Sequence, residues 1–237
     1  MRVFSILLLL ITTLYAVPHL SNARLLTEAI IPEKNRYAHE RAIQWPSSNG
    51  SAVVSADCSS LLNELWTRSY LKSDAGLLAV FGKKWPKARD WYRTIDRMKY
   101  FLKITNILDI AEGDIIAIYY PRGMVQTGDT NTGHVMLVNT APKTMKPRTP
   151  TVPDAEQYAL SVIDSTESPH GKDDTRAKRK DVRSNDSGIG IGTIRLFARS
   201  NAIIGYAWSM TSTNWHASND RPIVIGRYLY EKIRSTQ

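Results

Sequence analysis

The spacing of hydrophobic positions is helical in the first half of the chain. After Asp57 the apolar residues recur at steps of three and four, which predicts an amphipathic helix capped by Asp57: Leu61, Leu62, Leu65, Trp66 and Leu71. A second helical zone over residues 85–108 alternates aromatic side chains with Lys and Arg. Residues 28–42 are compatible with a further helix that has Pro32 near its start.

The spacing changes to that of β-strands after Gly113-Asp114. Strands are predicted at residues 115–120, 134–139, 160–164, 193–198 and 203–208, with residues 222–227 as a sixth. Because a run of strands follows a run of helices, the pattern predicts an α+β domain. In it, N-terminal helices pack on an antiparallel sheet of about five to six strands.

The first residues have the pattern of a secretory signal peptide. Met1-Arg2 precedes an apolar run over residues 3–17, which is shorter than the roughly 20 residues that a membrane span needs. Small residues favour cleavage after Ala23, with Leu14-Tyr15-Ala16 as a second candidate site and an uncleaved N-terminal anchor as the alternative. We therefore expect a signal peptide (1–23), a lead-in (24–50) and one domain (51–237). The exported chain would be periplasmic or extracellular, with no membrane span after cleavage.

Composition narrows the class of protein. The 237 residues are 43% hydrophobic and 22% charged, which excludes a disordered or fibrous chain. Cys58 is the only cysteine, so an intrachain disulfide and a multi-cysteine metal site are both excluded. In an exported protein a single thiol is an inert buried group, a partner for another chain, or a nucleophile. The sequence carries no signal for an oligomeric state.

The net charge of +9 suggests an anionic partner. Much of the excess lies in two stretches, 140–157 and 166–187, which we interpret as exposed loops inserted in the sheet. They would form a local contact surface for an anionic envelope component. The basic, aromatic zone at 85–108 also resembles a nucleic-acid surface, but a core-packing helix with a solvated basic face is the better interpretation. We therefore expect no nucleic-acid partner.

Three residues have the types and positions of a thiol site. Cys58 begins the first helix, where unpaired amides favour a thiolate and would lower the thiol pKa. His134 opens a strand and can act as its base, and Asp164 ends the next strand, where it can orient the imidazole. His170 is an alternative orienting or substrate-contacting residue. The competing interpretations are an inert core thiol, a structural histidine and a turn-capping aspartate.

The motifs around these residues resemble those of the NlpC-type cysteine peptidases, papain-like enzymes of bacterial cell walls. The resemblance covers roughly residues 50–210 and rests on three segments in the family's order: Asp57-Cys58-Ser59, Gly113-Asp114-Ile115-Ile116 and Gly133-His134-Val135. It implies a papain-like fold in which Cys58 is the nucleophile, His134 the base and Asp164 the third polar residue.

The chain departs from the family pattern at several positions. Ser60 stands where the family usually has glycine, and Asp164 where it more often has histidine, asparagine or glutamine. The family's tyrosine upstream of the cysteine has two candidates here, Tyr37 and Trp45.

The resemblance implies an exported thiol hydrolase that cleaves peptide amide bonds in peptidoglycan, without metal or organic cofactor. Two alternatives remain open. The same site could act on a lipid or other non-peptide acyl group as an amidase or acyltransferase. Alternatively, the domain could be a non-catalytic binder of the envelope in which Cys58 is an inert thiol.

Overall fold

The computed structural model describes residues 17–48, 50–71, 73–121, 131–177 and 186–230. The described residues include four α-helices: α1 (Pro18–Ala29), α2 (Cys58–Trp66), α3 (Asp74–Phe81) and α4 (Ala88–Asp96). A π-helical turn, Thr67–Leu71, continues α2, and a short 3-10 turn forms at Ile107–Asp109. None of the described helices is long and apolar enough to span a membrane.

A small sheet lies near the N-terminus. Its strands are β1 (Ile30–Arg36), β2 (Arg41–Gln44) and β3 (Ala52–Ala56), in the order β1-β3-β2. Strand β3 pairs in parallel with β1 and antiparallel with β2. The short connection Asp57 leads from β3 directly into α2, so this sheet sets the position of the α2 N-terminus.

The main sheet has nine strands among the described residues, and its pairs are antiparallel. The strands are β4 (Phe101–Ile104), β5 (Ile115–Tyr119), β6 (Gly133–Val138), β7 (Lys143–Thr144), β8 (Glu156–Thr166), β9 (Gly188–Arg199), β10 (Ala202–Ala207), β11 (His216–Ala217) and β12 (Ile223–Tyr228). Their order is β11-β10-β9-β8-β6-β5-β12-β4, and β7 pairs with β8 outside this path.

Both faces of the main sheet are buried. In β6, Val135 and Leu137 join the core formed with the helices, whereas Met136 and Val138 join a second core on the opposite face. The sheet curls around this second core, since Asn106, just after β4, bridges to the start of β10. Burial on both faces explains why these strands are continuous apolar runs rather than alternating ones.

The α+β class and the large antiparallel sheet are confirmed, but the sheet has nine strands rather than five to six. Each of the six predicted strands is present, and β8 and β9 are much longer than predicted. The helix predicted at residues 28–42 is wrong. Those residues end α1 and form β1 and part of β2, because β3 supplies pairing partners on both sides.

Two of the predicted segments, the signal peptide and the loop at 166–187, contain buried side chains. Helix α1 runs through residue 23, and it buries His19, Leu20, Ala23 and Leu26 in the core; residues 1–16 of the expected signal lie outside the described residues. The loop at 140–157 is largely exposed, as predicted. The loop at 166–187 is not simply a solvated one, because it buries His170, Asp174 and Arg176; its residues 178–185 lie outside the described part.

Candidate active site

Cys58 is the first residue of α2 and is 5% exposed. The preceding Asp57 caps the helix by accepting hydrogen bonds from the Ser60 amide at 2.7 Å and the Ser59 hydroxyl at 2.9 Å. The backbone amides of Ser59 and Val135 lie on the sulfur side, where hydrogen bonding to them favours the thiolate and acts to lower the pKa of the thiol. The thiol is therefore held between the helix start and the residue that follows His134 in β6.

The expected lowering of the Cys58 pKa is not what the structure gives. Burial is the largest influence and raises the pKa of this thiol, and the neighbouring Asp57 carboxylate raises it further. These effects outweigh the two amide hydrogen bonds, which act in the opposite direction. The resting group is a neutral thiol, so nucleophilic chemistry here needs a base.

His134 is fixed at the start of β6 by its neighbours in the sheet. Its Nε2 lies 2.6 Å from Asp164 Oδ2, across the β6–β8 pairing. A carboxylate only accepts hydrogen bonds, so Nε2 carries the proton and Nδ1 is left as the basic nitrogen. Only glycine suits position 133, where β6 begins. Its φ is +134°, and a Cβ there would lie 1.9 Å from the Ile118 carbonyl oxygen.

The thiol and the imidazole line two adjoining cavities. Cys58 borders one of about 310 Å³ and His134 borders one of about 480 Å³. The two cavities share Tyr37, His39, Asn131 and Gly133 and are therefore neighbours; together they are called the cleft. The Cys58 sulfur and the His134 ring are not hydrogen-bonded to each other in this structure. Catalytic hydrogen bonds are often long before substrate binds, so this arrangement is compatible with a working pair.

Asp164 is fully buried and joins several charged groups. Its Oδ2 accepts from His170 Nε2 at 2.9 Å as well as from His134, and its Oδ1 accepts from Arg176 at 2.9 Å. Arg176 also bonds both oxygens of Asp174, at 2.8 and 2.7 Å. Burial alone would raise the pKa of Asp164, but His170 and Arg176 hold it well below its usual range. His170 therefore acts together with Asp164 rather than in its place.

Asp174 and Arg176 are buried, although they belong to the stretch predicted to be a solvated loop. The signal for them is the alternation Gly188-Ile189-Gly190-Ile191-Gly192 in β9, whose glycines share one face of the strand. A Cβ at Gly190 would lie 2.7 Å from Arg176 Nε, and one at Gly192 would lie 2.5 Å from Asp174 Oδ2. These glycines make room for the buried charges.

No protein-family model and no solved structure matches the chain. The chain is 34% identical over 206 residues to "Uncharacterized protein R653" of Acanthamoeba polyphaga mimivirus, an alignment that covers 82% of this chain and 88% of that protein. The chain belongs to the family of this mimivirus protein. The relative's name carries no activity.

Tyr37 and Trp45, the two candidates for a tyrosine-like residue upstream of the cysteine, lie in different surroundings. Tyr37 lines both cavities, and charge on Cys58 is close enough to help raise the pKa of its hydroxyl, after the larger effect of burial. Trp45 is engaged elsewhere, donating from Nε1 to Glu64 and stacking under Arg68. Of the two candidates, only Tyr37 borders the cleft.

One group of side chains in the described residues has the composition of a metal site. Ligand atoms of His134, Asp164 and His170 lie within 4.8 Å of one another. Both imidazoles, however, already donate to Asp164, and the buried Arg176 guanidinium occupies the other carboxylate oxygen. A cation would displace these donors beside a fixed positive charge. The arrangement therefore fits a network of hydrogen bonds better than a bound metal.

Proposed function

We propose that this protein is a thiol hydrolase that transfers the acyl group of an amide to water, with Cys58 as nucleophile, His134 as base and Asp164 as the orienting residue. The observation that carries the proposal is the 2.6 Å contact between His134 Nε2 and Asp164 Oδ2. That contact leaves Nδ1 basic, at the end of the sheet where the sulfur meets the Val135 amide. Nucleophile, base and orienting group are the three parts that such chemistry requires.

The reaction proceeds in two acyl transfers. His134 Nδ1 takes the Cys58 proton, and the thiolate attacks the amide carbonyl carbon. The oxyanion is held by the Cys58 amide, which has no intrahelical acceptor at the first position of α2, with the Tyr37 hydroxyl nearby. His134 then protonates the leaving amine as the C–N bond breaks. Water, deprotonated by His134, hydrolyses the thioester to the acid and restores the thiol.

The proposed substrate is a peptide amide of peptidoglycan, which is what the resemblance to the NlpC-type peptidases implies. The proposed place of action is outside the cytoplasm, in the periplasm or beyond. The net charge of +9 supports association with an anionic wall or envelope surface.

A second function has one observation in its favour. The raised pKa and burial of Cys58, without a hydrogen bond to His134, suit an inert thiol in a non-catalytic envelope-binding domain. In that case the cleft binds wall fragments and cleaves nothing.

Purified peptidoglycan fragments separate these functions. Wild type, Cys58→Ala, His134→Ala and the control His216→Ala are incubated with the fragments, and new amine and carboxyl ends are read by mass spectrometry. We expect cleavage by wild type and His216→Ala, and a loss of at least about 1000-fold in both site variants. Equal amounts of product from wild type and Cys58→Ala would rule out Cys58 as the nucleophile. Binding without cleavage by all four proteins would establish the binding domain.

A further inference from the structure

We propose that His170 is a fixed imidazolium that balances the charge of Asp164 and thereby keeps His134 neutral and basic. His170 is a positioning residue in this proposal, since it acts on His134 through Asp164. The effect of His170 on catalysis rests on the proposed function, whereas the protonation state of its ring can be tested without it.

The geometry of the ring requires two protons. His170 Nδ1 lies 2.7 Å from the Trp208 carbonyl oxygen, and Nε2 lies 2.9 Å from Asp164 Oδ2. A carbonyl oxygen and an ionised carboxylate can only accept hydrogen bonds. Both ring nitrogens must therefore donate, and only the imidazolium form has two N–H groups. The side chain is fully buried, so a neutral ring would leave one of these buried acceptors facing a lone pair.

Charged groups reach His170 from each element packed against it. Asp164 comes from β8, and Arg176 and Asp174 come from the segment after it, with Asp174 also accepting from the His170 amide at 2.8 Å. Trp208, which follows β10, contributes its carbonyl, and β9 places Gly192 against the His170 side chain. Two carboxylates thus face one guanidinium and one imidazolium, which makes the cluster electrically neutral without His134.

The pKa of His170 shifts in the same direction. Burial lowers it, but the charge and hydrogen bond of Asp164 more than compensate, so that the net shift is upward. Arg176 opposes this rise without reversing it.

The charge of His170 has a consequence for the base. If His170 were neutral, the cluster would carry one net negative charge beside His134, and that charge would stabilise a proton on His134 Nδ1. A proton there would occupy the nitrogen that must accept the Cys58 proton. Trp208 packs against both rings, at centroid distances of 4.9 Å to His134 and 4.3 Å to His170, and limits their reorientation.

Long-range ¹H–¹⁵N spectra of the histidine side chains test this directly, between pH 5 and 9, in wild type, His170→Gln and the control His216→Gln. Glutamine can still donate to Asp164 but carries no charge. In wild type we expect both His170 nitrogens to stay protonated through neutral pH. In His170→Gln we expect the His134 midpoint to rise by about 1–3 pH units, and in the control to stay unchanged.

Two outcomes would overturn the proposal. One is a His170 ring in the wild type that is neutral at pH 7, which decides the question even if His170→Gln does not fold. The other is an unchanged His134 midpoint in folded His170→Gln, which would make His170 a structural residue only. Neither measurement needs turnover, so failure here is distinguishable from failure of Cys58→Ala to abolish cleavage.

Discussion

Cys58 is subject to opposing electrostatic influences at the start of α2. Burial and the Asp57 carboxylate disfavour its thiolate, whereas the amides of Ser59 and Val135 favour it. Asp57 has a second role, because its Oδ1 caps the helix. These two roles can be separated by substitution, since asparagine caps a helix about as well as aspartate but has no charge.

We predict that Asp57→Asn lowers the pKa of Cys58 and leaves the fold intact. The rate of alkylation by iodoacetamide should rise with pH beyond pH 9 in wild type, because the raised pKa keeps the thiol protonated. In Asp57→Asn the same curve should move to lower pH, by about one unit.

Asp57→Ala is the matched control for the cap. It should shift the alkylation curve in the same direction but also lose about 1 kcal/mol of unfolding free energy, measured in urea. A wild-type rate that levels off near neutral pH would contradict the raised pKa. An unchanged curve in Asp57→Asn would show that Asp57 does not influence the thiol.

At the residue scale, the sequence singles out side chains that lie at or near the start or end of an element. Cys58 begins α2, His134 is the second residue of β6, and Asp164 lies two residues before the end of β8. The structure brings His134 and Asp164 into direct contact. Arg176 could not be found in this way. In the sequence it is one of many charges in a Lys- and Arg-rich stretch, and only the tertiary fold distinguishes the buried guanidinium from its exposed neighbours.

At the scale of elements, α1 bears on the choice between the two predicted cleavage sites. The helix begins at Pro18, and His19 within it bonds Tyr70 through Nδ1 at 2.6 Å and the Gly113 carbonyl through Nε2 at 2.7 Å. Cleavage after Ala23 would remove half of a helix that packs in the core. If the chain is exported, Leu14-Tyr15-Ala16 is the cleavage site that leaves α1 whole.

We predict that a chain starting at Val17 is more stable than one starting at Arg24. The shorter chain lacks the buried side chains of His19, Leu20 and Ala23, and loss of one buried leucine alone costs about 2–5 kcal/mol. Urea unfolding at pH 7 measures the difference. Equal stability of the two chains would mean that the first half of α1 adds nothing to the fold.

The pH dependence of the same unfolding experiment is an internal control. Burial lowers the pKa of His19 to about 4, whereas the unfolded chain has a histidine pKa near 6.5. Because the unfolded state binds the proton first, the longer chain should lose about 3 kcal/mol as the pH falls from 6.5 to 4. The shorter chain lacks His19, so its stability should change less over that range. Parallel pH profiles would contradict the burial of a neutral His19.

The six strands predicted from residue 115 onward are present, whereas the helix predicted in the lead-in is wrong, and β4 lies within the zone 85–108 that was predicted to be helical. Strands such as β5 and β6 are buried on both faces, so their apolar runs are long enough to identify. Strands β1 and β2 have mixed burial patterns, and their pairing depends on β3, which follows them in the chain. The spacing of residues within 28–42 does not reveal that partner, so the segment is also compatible with a helix.

At the scale of the whole molecule, the proposed mechanism predicts which half of the substrate occupies each of the two cavities. Cys58 lines one cavity and His134 the other, and the proposed mechanism has the acyl group on sulfur while His134 protonates the leaving amine. The acyl half of the substrate should therefore occupy the cavity that Lys87 also lines. The leaving half should occupy the cavity lined by the exposed Glu167.

We predict that Glu167 favours a leaving group with a positive charge. Two amide substrates with the same acyl half, one releasing a cationic amine and one a neutral amine, are compared by kcat/KM. Glu167→Gln should reduce kcat/KM for the cationic substrate by about fivefold, since exposed charge pairs contribute up to about 1 kcal/mol, and should leave the neutral substrate unaffected.

Glu28→Gln, an exposed substitution on α1 outside the cleft, is the matched control. An equal effect of Glu167→Gln on both substrates would contradict a charge contact on the leaving side. A preference that disappears above about 0.5 M salt would support it, because screening removes exposed pairs first.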